Sequence, residues 1–444
     1  VGLTPVLANA LAMGKTAKSE YSLNLELNIF IWGVRTPYKT FEVVRIRILL
    51  VTGKSAEKEV RKVAERFGCD VHVAPIDVAT FLTSPMISGG VKKGHEMILV
   101  PGLVKADLED LEKKTGVTTF RGPKDIADLE ILLENIDKIP LSKEIPADEL
   151  LLEFKEKKAL EEIERVNSPQ YAKKMLSKPG NISIGGLPVG KDFPIRVVAE
   201  IVDVGSKTLD EIIRIAEYYA RSGADVIDLG FNEENPEKIR EVVPALRTLG
   251  IPLSVDTMEE KNIECAIEEG IDLILSFDDA LLNSFQNVDA AAVILPMKGG
   301  SIPEDPDERV EILNENLRLA KERGFTKLIA DPVLKPLNFG LADSIIAYRK
   351  FGASTRDVPM LMGVGNVTEL MDADSIGINA VLCGLASECG ADIVFTTEAS
   401  NKTKGCVKEL STASKMMYLS KKRGSPPKDL GLDLLILKEK RRKA

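Results

Sequence analysis

Acids and small polar residues recur in this chain at one kind of place, directly after short apolar runs. In order they are Glu200 and Asp203, Asp228, Asp256 with Thr257, Ser276 with Asp278, Met297 with Lys298, Asp331, Asn366, and Glu398 with Asn401 and Lys402. An ionised carboxylate offers only acceptors, so two of them held at a fixed separation suit a planar heterocycle with adjacent N–H donors, such as an amino-pyrimidinone. The same oxygens suit a divalent cation. A competing reading makes each residue a cap for the helix that follows, because Asp, Ser and Thr are favoured there. That reading accounts for Ser276 and Asp203. It accounts less well for Asp256 in "IPLSVDT" and Asp331 in "IADP", which would face each other across the mouth of a closed barrel.

The elements that must position these residues alternate strictly. Apolar runs at 195–203, 225–230, 252–256, 272–276, 291–296, 327–331, 359–363 and 391–396 read as strands. Helical patterns such as "TLDEIIRIAEYYARSG" and "PEKIREVVPALRTLG" lie between them and end in glycine, as C-terminal caps require. Eight such units within 190–420 predict a (β/α)8 TIM barrel, with a doubly wound open sheet as the alternative. A barrel carries its chemistry at the carboxyl ends of its strands, where these residues fall.

Upstream, 44–139 reads as a small α/β domain opened by the strand "IRILLVTG". Its "VTGKSAEK" invites a phosphate-loop reading but lacks the full G-x-x-x-x-G-K-[ST] spacing, so a plain strand-to-helix turn is expected. Residues 140–189 read as a helical connector. Residues 1–43, without sustained periodicity, read as a poorly ordered leader or a mis-assigned start, and 421–444 as a C-terminal tail.

Composition narrows the function classes. With 59 Lys+Arg against 68 Asp+Glu, the net charge of -9 provides no overall basic field for nucleic acid; the basic end "LKEKRRKA" is a local exception. No apolar stretch reaches the roughly 20 residues of a membrane span. The five cysteines include no C-x-x-C pair, and the two histidines, His72 and His95, both precede the barrel, so no metal site is expected. A cytoplasmic protein is the expectation.

Taken together, "SGADVIDLG", "IPLSVDT", "GIDLILS" and "IADP" resemble, in order, the strand-two, -three, -four and -six motifs of the pterin-binding barrels of dihydropteroate synthase and the folate-linked corrinoid methyltransferases. The preceding domain, with "LLVTGKSAEKEV" and "ILVPGL", is similar to the extension of archaeal dihydropteroate synthase-related proteins. The resemblance implies that Asp256 and Asp331 hold the pterin edge, with Asn366, Ser276, Asp228, Glu200 and Met297 around it. Departures are specific. Leu275 and Ser276 stand where the family usually has Asn, "GVGNVTEL" replaces a Ser-Arg-Lys, and "TTEASNKTKG" replaces an Arg-x-His. Lys298, Lys335 and Lys402 are then the anion-binding candidates for a diphosphate leaving group, and no catalytic residue is assigned.

The resemblance implies a pterin-binding transferase of dihydropteroate synthase type, serving a folate-like carrier such as tetrahydromethanopterin. Two alternatives are a methyltransferase subunit passing a methyl group from a reduced pterin to a corrinoid protein, and a non-catalytic pterin-binding protein. The expected ligand is a reduced pterin, with no tightly bound cofactor. Pairing into a homodimer through the outer helices is an expectation for barrels of this kind.

Overall fold

The computed structural model describes residues 46–354 and 357–435; the leader at 1–43 and the basic end from 436 lie outside the described residues. The small domain contains β1 (Ile48–Thr52), α1 (Glu57–Phe67), β2 (Asp70–Val73), α2 (Ser84–Ser88), β3 (Met97–Val100), α3 (Leu108–Thr115), β4 (Thr118–Arg121) and α4 (Leu129–Glu134). All four strands are parallel, in the order β2-β1-β3-β4. β1, "ILLVT", is buried at every position, as a strand covered on both faces must be. Leu50 and Leu99 pack with Val60 of α1 and Leu132 of α4 on one face, and Leu49 and Ile98 pack with Ile87 of α2 and Leu111 of α3 on the other. β4 lies in a stretch whose turn residues masked it in the sequence; "TTFR" is half polar because it forms an edge of the sheet.

The connector is helical only in part. After α5 (Ala147–Leu150), α6 (Leu152–Val166) and α7 (Pro169–Met175), the expected 140–189 connector gives way to an antiparallel hairpin, β5 (Asn181–Ile184) and β6 (Leu187–Gly190). Its two-residue turn is Gly185-Gly186, at φ 52° and 91°, the left-handed backbone that a tight hairpin needs. Ile184 and Val189 fill the lower end of the barrel, packed with Val198, Val226, Leu273 and Ile393.

Eight strands follow where the sequence places them. They are β7 (Arg196–Ile201), β8 (Val226–Gly230), β9 (Leu253–Asp256), β10 (Leu273–Phe277), β11 (Ala291–Ile294), β12 (Leu328–Ala330), β13 (Leu361–Gly363) and β14 (Ile393–Thr397). Parallel pairing runs β12-β11-β10-β9-β8-β7-β14-β13, and an isolated bridge between Ala330 and Met360 closes the circle. The outer layer is α8 (Leu209–Ser222), α9 (Pro236–Leu246), α10 (Glu260–Glu268), α11 (Asp279–Ser284), α12 (Pro306–Glu322), α13 (Leu341–Ser354), the single turn α14 (Gly365–Thr368), α15 (Ser375–Cys389) and α16 (Cys406–Arg423). α8 begins on a capping box, Thr208 with Glu211, and ends at Gly223 in the left-handed region.

The expected tail at 421–444 is also corrected. α16 continues to Arg423, whose guanidinium pairs with Asp125 and Asp128 of the small domain, and Leu430 is buried. Gly431 lies so close to Lys155 and Glu156 that a Cβ there would meet their backbone at 2.5 Å. Among the described residues no helix is long and apolar enough to cross a membrane.

Candidate functional site

The period of two along a strand decides which strand-end residues enter the barrel. Val198, Val226, Leu273, Val293, Ile329, Leu361 and Ile393 share the inner cluster, while Val197, Ile227, Leu253, Ile274 and Val394 pack outward against the helices. Continuing the inner parity toward the carboxyl ends brings in Glu200, Asp228, Ser254, Asp256 and Asp331. The registers Glu200↔Asp228, Asp228↔Ser254 and Gly230↔Asp256 stack three of these acids on adjacent strands.

Glu200, Asp228 and Asp256 each offer a carboxylate oxygen within 4.8 Å of the other two. Asp228 is fully buried; its Oδ1 accepts from the Ser254 hydroxyl, and its Oδ2 has no hydrogen-bond partner among the described residues. Burial, and then the charge of Asp256, pushes Glu200 up to about 7. Burial and the Asp331 charge push Asp256 up to about 6. Burial with both neighbours raises Asp228 well above its ordinary value. A small glycine makes this packing feasible, since a Cβ on Gly230 would lie 2.4 Å from Glu200 Oε1.

Asp331 is held differently. Its Oδ1 accepts from the Tyr348 hydroxyl and, at 2.8 Å, from the Val333 N–H. Burial pushes it up to about 6, partly offset by the Tyr348 bond. The loop around it is fastened by Arg309, a fully buried guanidinium donating to Pro303 O at 2.9 Å and Val333 O at 3.2 Å.

The remaining candidates occupy the rim with assignments of their own. Asn366 donates from Nδ2 to Leu334 O at 2.8 Å, joining the loops after β12 and β13. Met297 is half-buried, and its carbonyl accepts from Asn316. Ser276 lies within β10, half-buried, and the cap of α11 is Asp278, which accepts from the Leu281 N–H at 2.8 Å. That corrects the expectation that Ser276 is the cap. Asp203 precedes the 3-10 turn Val204–Ser206, but its side chain caps no N–H there and accepts from the Ser206 hydroxyl instead. Glu398 accepts from the Val407 N–H and the Tyr218 hydroxyl, a structural role. Asp256 caps nothing: the residue before α10 is Glu259, whose N–H donates to Thr257 Oγ1.

Each lysine named as an anion candidate is in an ion pair, Lys298 with Glu315, Lys335 with Glu304 and Lys402 with Asp372. Sequence reasoning missed Glu369, which follows α14. It accepts from Thr403 and from the Ala399 and Ser400 N–H groups, and its charge contributes to raising Glu200. Burial alone would raise Glu369, but these bonds hold it below its ordinary value. Tyr348 and Arg309 were also missed; both lie on helices and reach the site only through the fold.

Three crowded carboxylates can share protons, accept from a donor-rich ligand edge, or hold a hard cation. Soft-metal ligation has less support in the barrel. Burial pushes the thiols of Cys383 and Cys406 up to about 12 and about 11, away from the thiolate that binds metal.

The pterin binding enzyme family matches residues 200–397, and a family of unknown function matches residues 46–124. An uncharacterized protein of Methanocaldococcus jannaschii is 41% identical over 420 residues, covering 89% of this chain and 79% of that protein. A Halobacterium salinarum protein described as a probable bifunctional folylpolyglutamate synthase/dihydropteroate synthase is 26% identical over 223 residues, 42% of this chain and 26% of its own length. Among solved structures, dihydropteroate synthase of Thermus thermophilus superposes with a TM-score of 0.41 at 19% identity, over 53% of this chain and 97% of that one. For the Yersinia pestis dihydropteroate synthase the figures are 0.42, 18%, 55% and 100%.

Proposed function

We propose, from the premise that this chain belongs to the pterin-binding barrel family, in its archaeal dihydropteroate synthase-related group with an added N-terminal domain, that the barrel mouth binds a reduced pterin. The observation that carries this reading is the set of inward-facing carboxylates, Glu200, Asp228 and Asp256, without an ion-pair partner among the described residues. Asp256 and Asp331 accept from the N–H groups of the amino-pyrimidinone edge. That contact returns a charge-assisted hydrogen bond to acids that burial has partly desolvated.

Two transferase chemistries follow from such a site. In the dihydropteroate synthase type, an arylamine displaces diphosphate from the pterin methyl group, and cationic groups must meet the leaving anion. The pairing of Lys298, Lys335 and Lys402 with carboxylates weighs against that route and favours the second, transfer of a methyl group from a reduced pterin to a corrinoid protein. That reaction needs a proton donor near neutrality. Glu200, pushed up to about 7, fits the requirement.

Calorimetric titration of a dihydropterin into the wild type and Asp256→Asn tests the binding. Parallel turnover assays, one with pterin diphosphate and arylamine and one with methyl-pterin and cobalamin, separate the two reactions. Binding without turnover in either assay points to a non-catalytic pterin-binding protein. No binding to the wild type removes the whole reading.

A further inference from the structure

The small domain carries site-forming geometry of its own, independent of the barrel. β1 connects outward through α1 to β2, and the chain then returns across β1 to β3, so the winding reverses between β1 and β3. In an open parallel sheet the loops at the strand carboxyl ends part at such a reversal and leave a crevice. Here that crevice is a cavity of about 620 Å³, within the roughly 300–1,000 Å³ of small-molecule sites. Leu50, Val51, Leu99 and Val100 line it from the sheet, Val60 and Leu129 from α1 and α4, and Pro426 and Lys428 from the segment after α16.

The walls select the chemistry of an occupant. The turn after β1 has already spent its donors, since the Lys54 and Ser55 N–H groups donate to Ile76 O and Asp77 O. A phosphate therefore finds no cradle at those two positions. The strand ends are committed as well: Ala74 N–H donates to Thr52 O and Gly122 N–H to Val100 O. The four charged lining residues are all paired, Lys124 with Glu149 at 2.7 Å, Asp125 with Arg423 at 3.2 Å, and Lys428 with Asp429 at 3.6 Å. The side chains left unpaired are apolar apart from two hydroxyls. Thr52 donates its hydroxyl hydrogen to Gly53 O and so presents an acceptor, while Thr80 lines the opening. Leu103 of the lining is 51% exposed and, with Ala79 and Pro101, gives the mouth an apolar collar.

We propose that this crevice binds an uncharged heteroaromatic compound of about nucleoside size, its ring between the apolar walls and a ring amino or N–H group donating to Thr52. The test is a titration of the full chain, methyl-labelled at leucine and valine, with adenosine, ATP and laurate, followed by NMR. Adenosine is expected to shift the Val60, Leu103 and Leu129 methyl signals, and ATP and laurate are expected to bind more weakly. Thr80→Trp, which fills the opening, and Leu103→Asp, which puts a charge on the collar, should each weaken adenosine about tenfold or more. Thr80 lies in the single 3-10 turn Ala79–Phe81 and Leu103 in the turn after β3, and circular dichroism should show both variants folded. The proposal is overturned if adenosine at about 5 mM moves none of these signals, if ATP or laurate binds more tightly than adenosine, or if the folded variants bind like the wild type.

Discussion

Among the described residues, the buried Asp128 of the small domain and the carboxylates around the buried Asp228 at the barrel mouth are treated oppositely by their surroundings. In the small domain Asp128 is 2% exposed, with the equally buried Lys155 Nζ at 2.6 Å and Arg423 Nη2 at 3.2 Å. Burial raises its carboxyl, while the lysine and arginine pull it back. At the barrel mouth Glu200, Asp228 and Asp256 crowd one another with no cation paired to any of them among the described residues, and their mutual charge adds to the effect of burial. The difference teaches what each cluster is for. A buried acid neutralised within the chain joins the connector and α16 to the small domain. Crowded, half-buried acids left to each other are neutralised by protons or by something that binds.

The contrast breaks most visibly at its structural half. Lys155→Ala leaves Asp128 buried beside only Arg423 and should cost about 3–5 kcal/mol of stability in a urea titration, the usual penalty for breaking a buried pair from one side. A loss below about 1 kcal/mol would show that Asp128 is neutral or hydrated, and the two clusters would no longer differ in kind.

At the functional half, Asp256→Asn replaces one acceptor oxygen with a donor that opposes the ring N–H groups. Dihydropterin affinity should fall by roughly 1.5–3 kcal/mol, the range for a hydrogen bond to a charged group, with the fold intact and the melting temperature near neutral pH not lowered, since Asn relieves the crowding. Equal affinity by calorimetry would leave Asp256 with no ligand role.

The pH dependence sharpens the same contrast. Glu200 is raised from 4.5 to about 7, and Asp256 and Asp331 from 3.8 to about 6, so across pH 4–7 these three groups hold more protons in the folded chain than in the unfolded one. Their contribution to stability therefore falls as pH rises through that window. Glu200→Gln removes one of these titrations and should flatten the decline by roughly 1–2 kcal/mol between pH 5 and 7.5. Urea midpoints that fall with pH equally in wild type and variant would contradict the crowding. The smallest effect is at the rim, where Lys298→Ala and Lys402→Ala each break an exposed or half-exposed pair. Each should change stability by about 0–1 kcal/mol and leave dihydropterin affinity unmoved. A rise in KM for a pterin diphosphate in either variant would restore the anion-binding role.

Local pattern was enough for the architecture of the barrel. Each strand was legible as an apolar run bounded by a glycine or polar residue, and the period of two along β8, β9 and β12 already puts Asp228, Asp256 and Asp331 on the face shared by Val226, Ser254 and Ile329. "IPLSVDT" and "IADP" therefore carried the core of the candidate site. Pattern failed where an element's identity depends on a distant partner. The β5–β6 hairpin exists as a plug only because a barrel end needs filling, β4 is a strand only because β3 lies beside it, and α16 runs on to Arg423 because Asp125 and Asp128 wait there.

The choice among equally polar strand-end residues was likewise tertiary. Asp278 and Glu398 are consumed by N–H groups at helix starts and the three rim lysines by nearby carboxylates, while Glu369, Tyr348 and Arg309 enter from elements that carry no motif. Sequence determines which face of a strand a side chain occupies, because that follows from backbone geometry over a few residues. Whether the side chain is then paired, desolvated or left facing other acids depends on groups far along the chain, as Glu369 is from Glu200, and only the closed barrel brings those together.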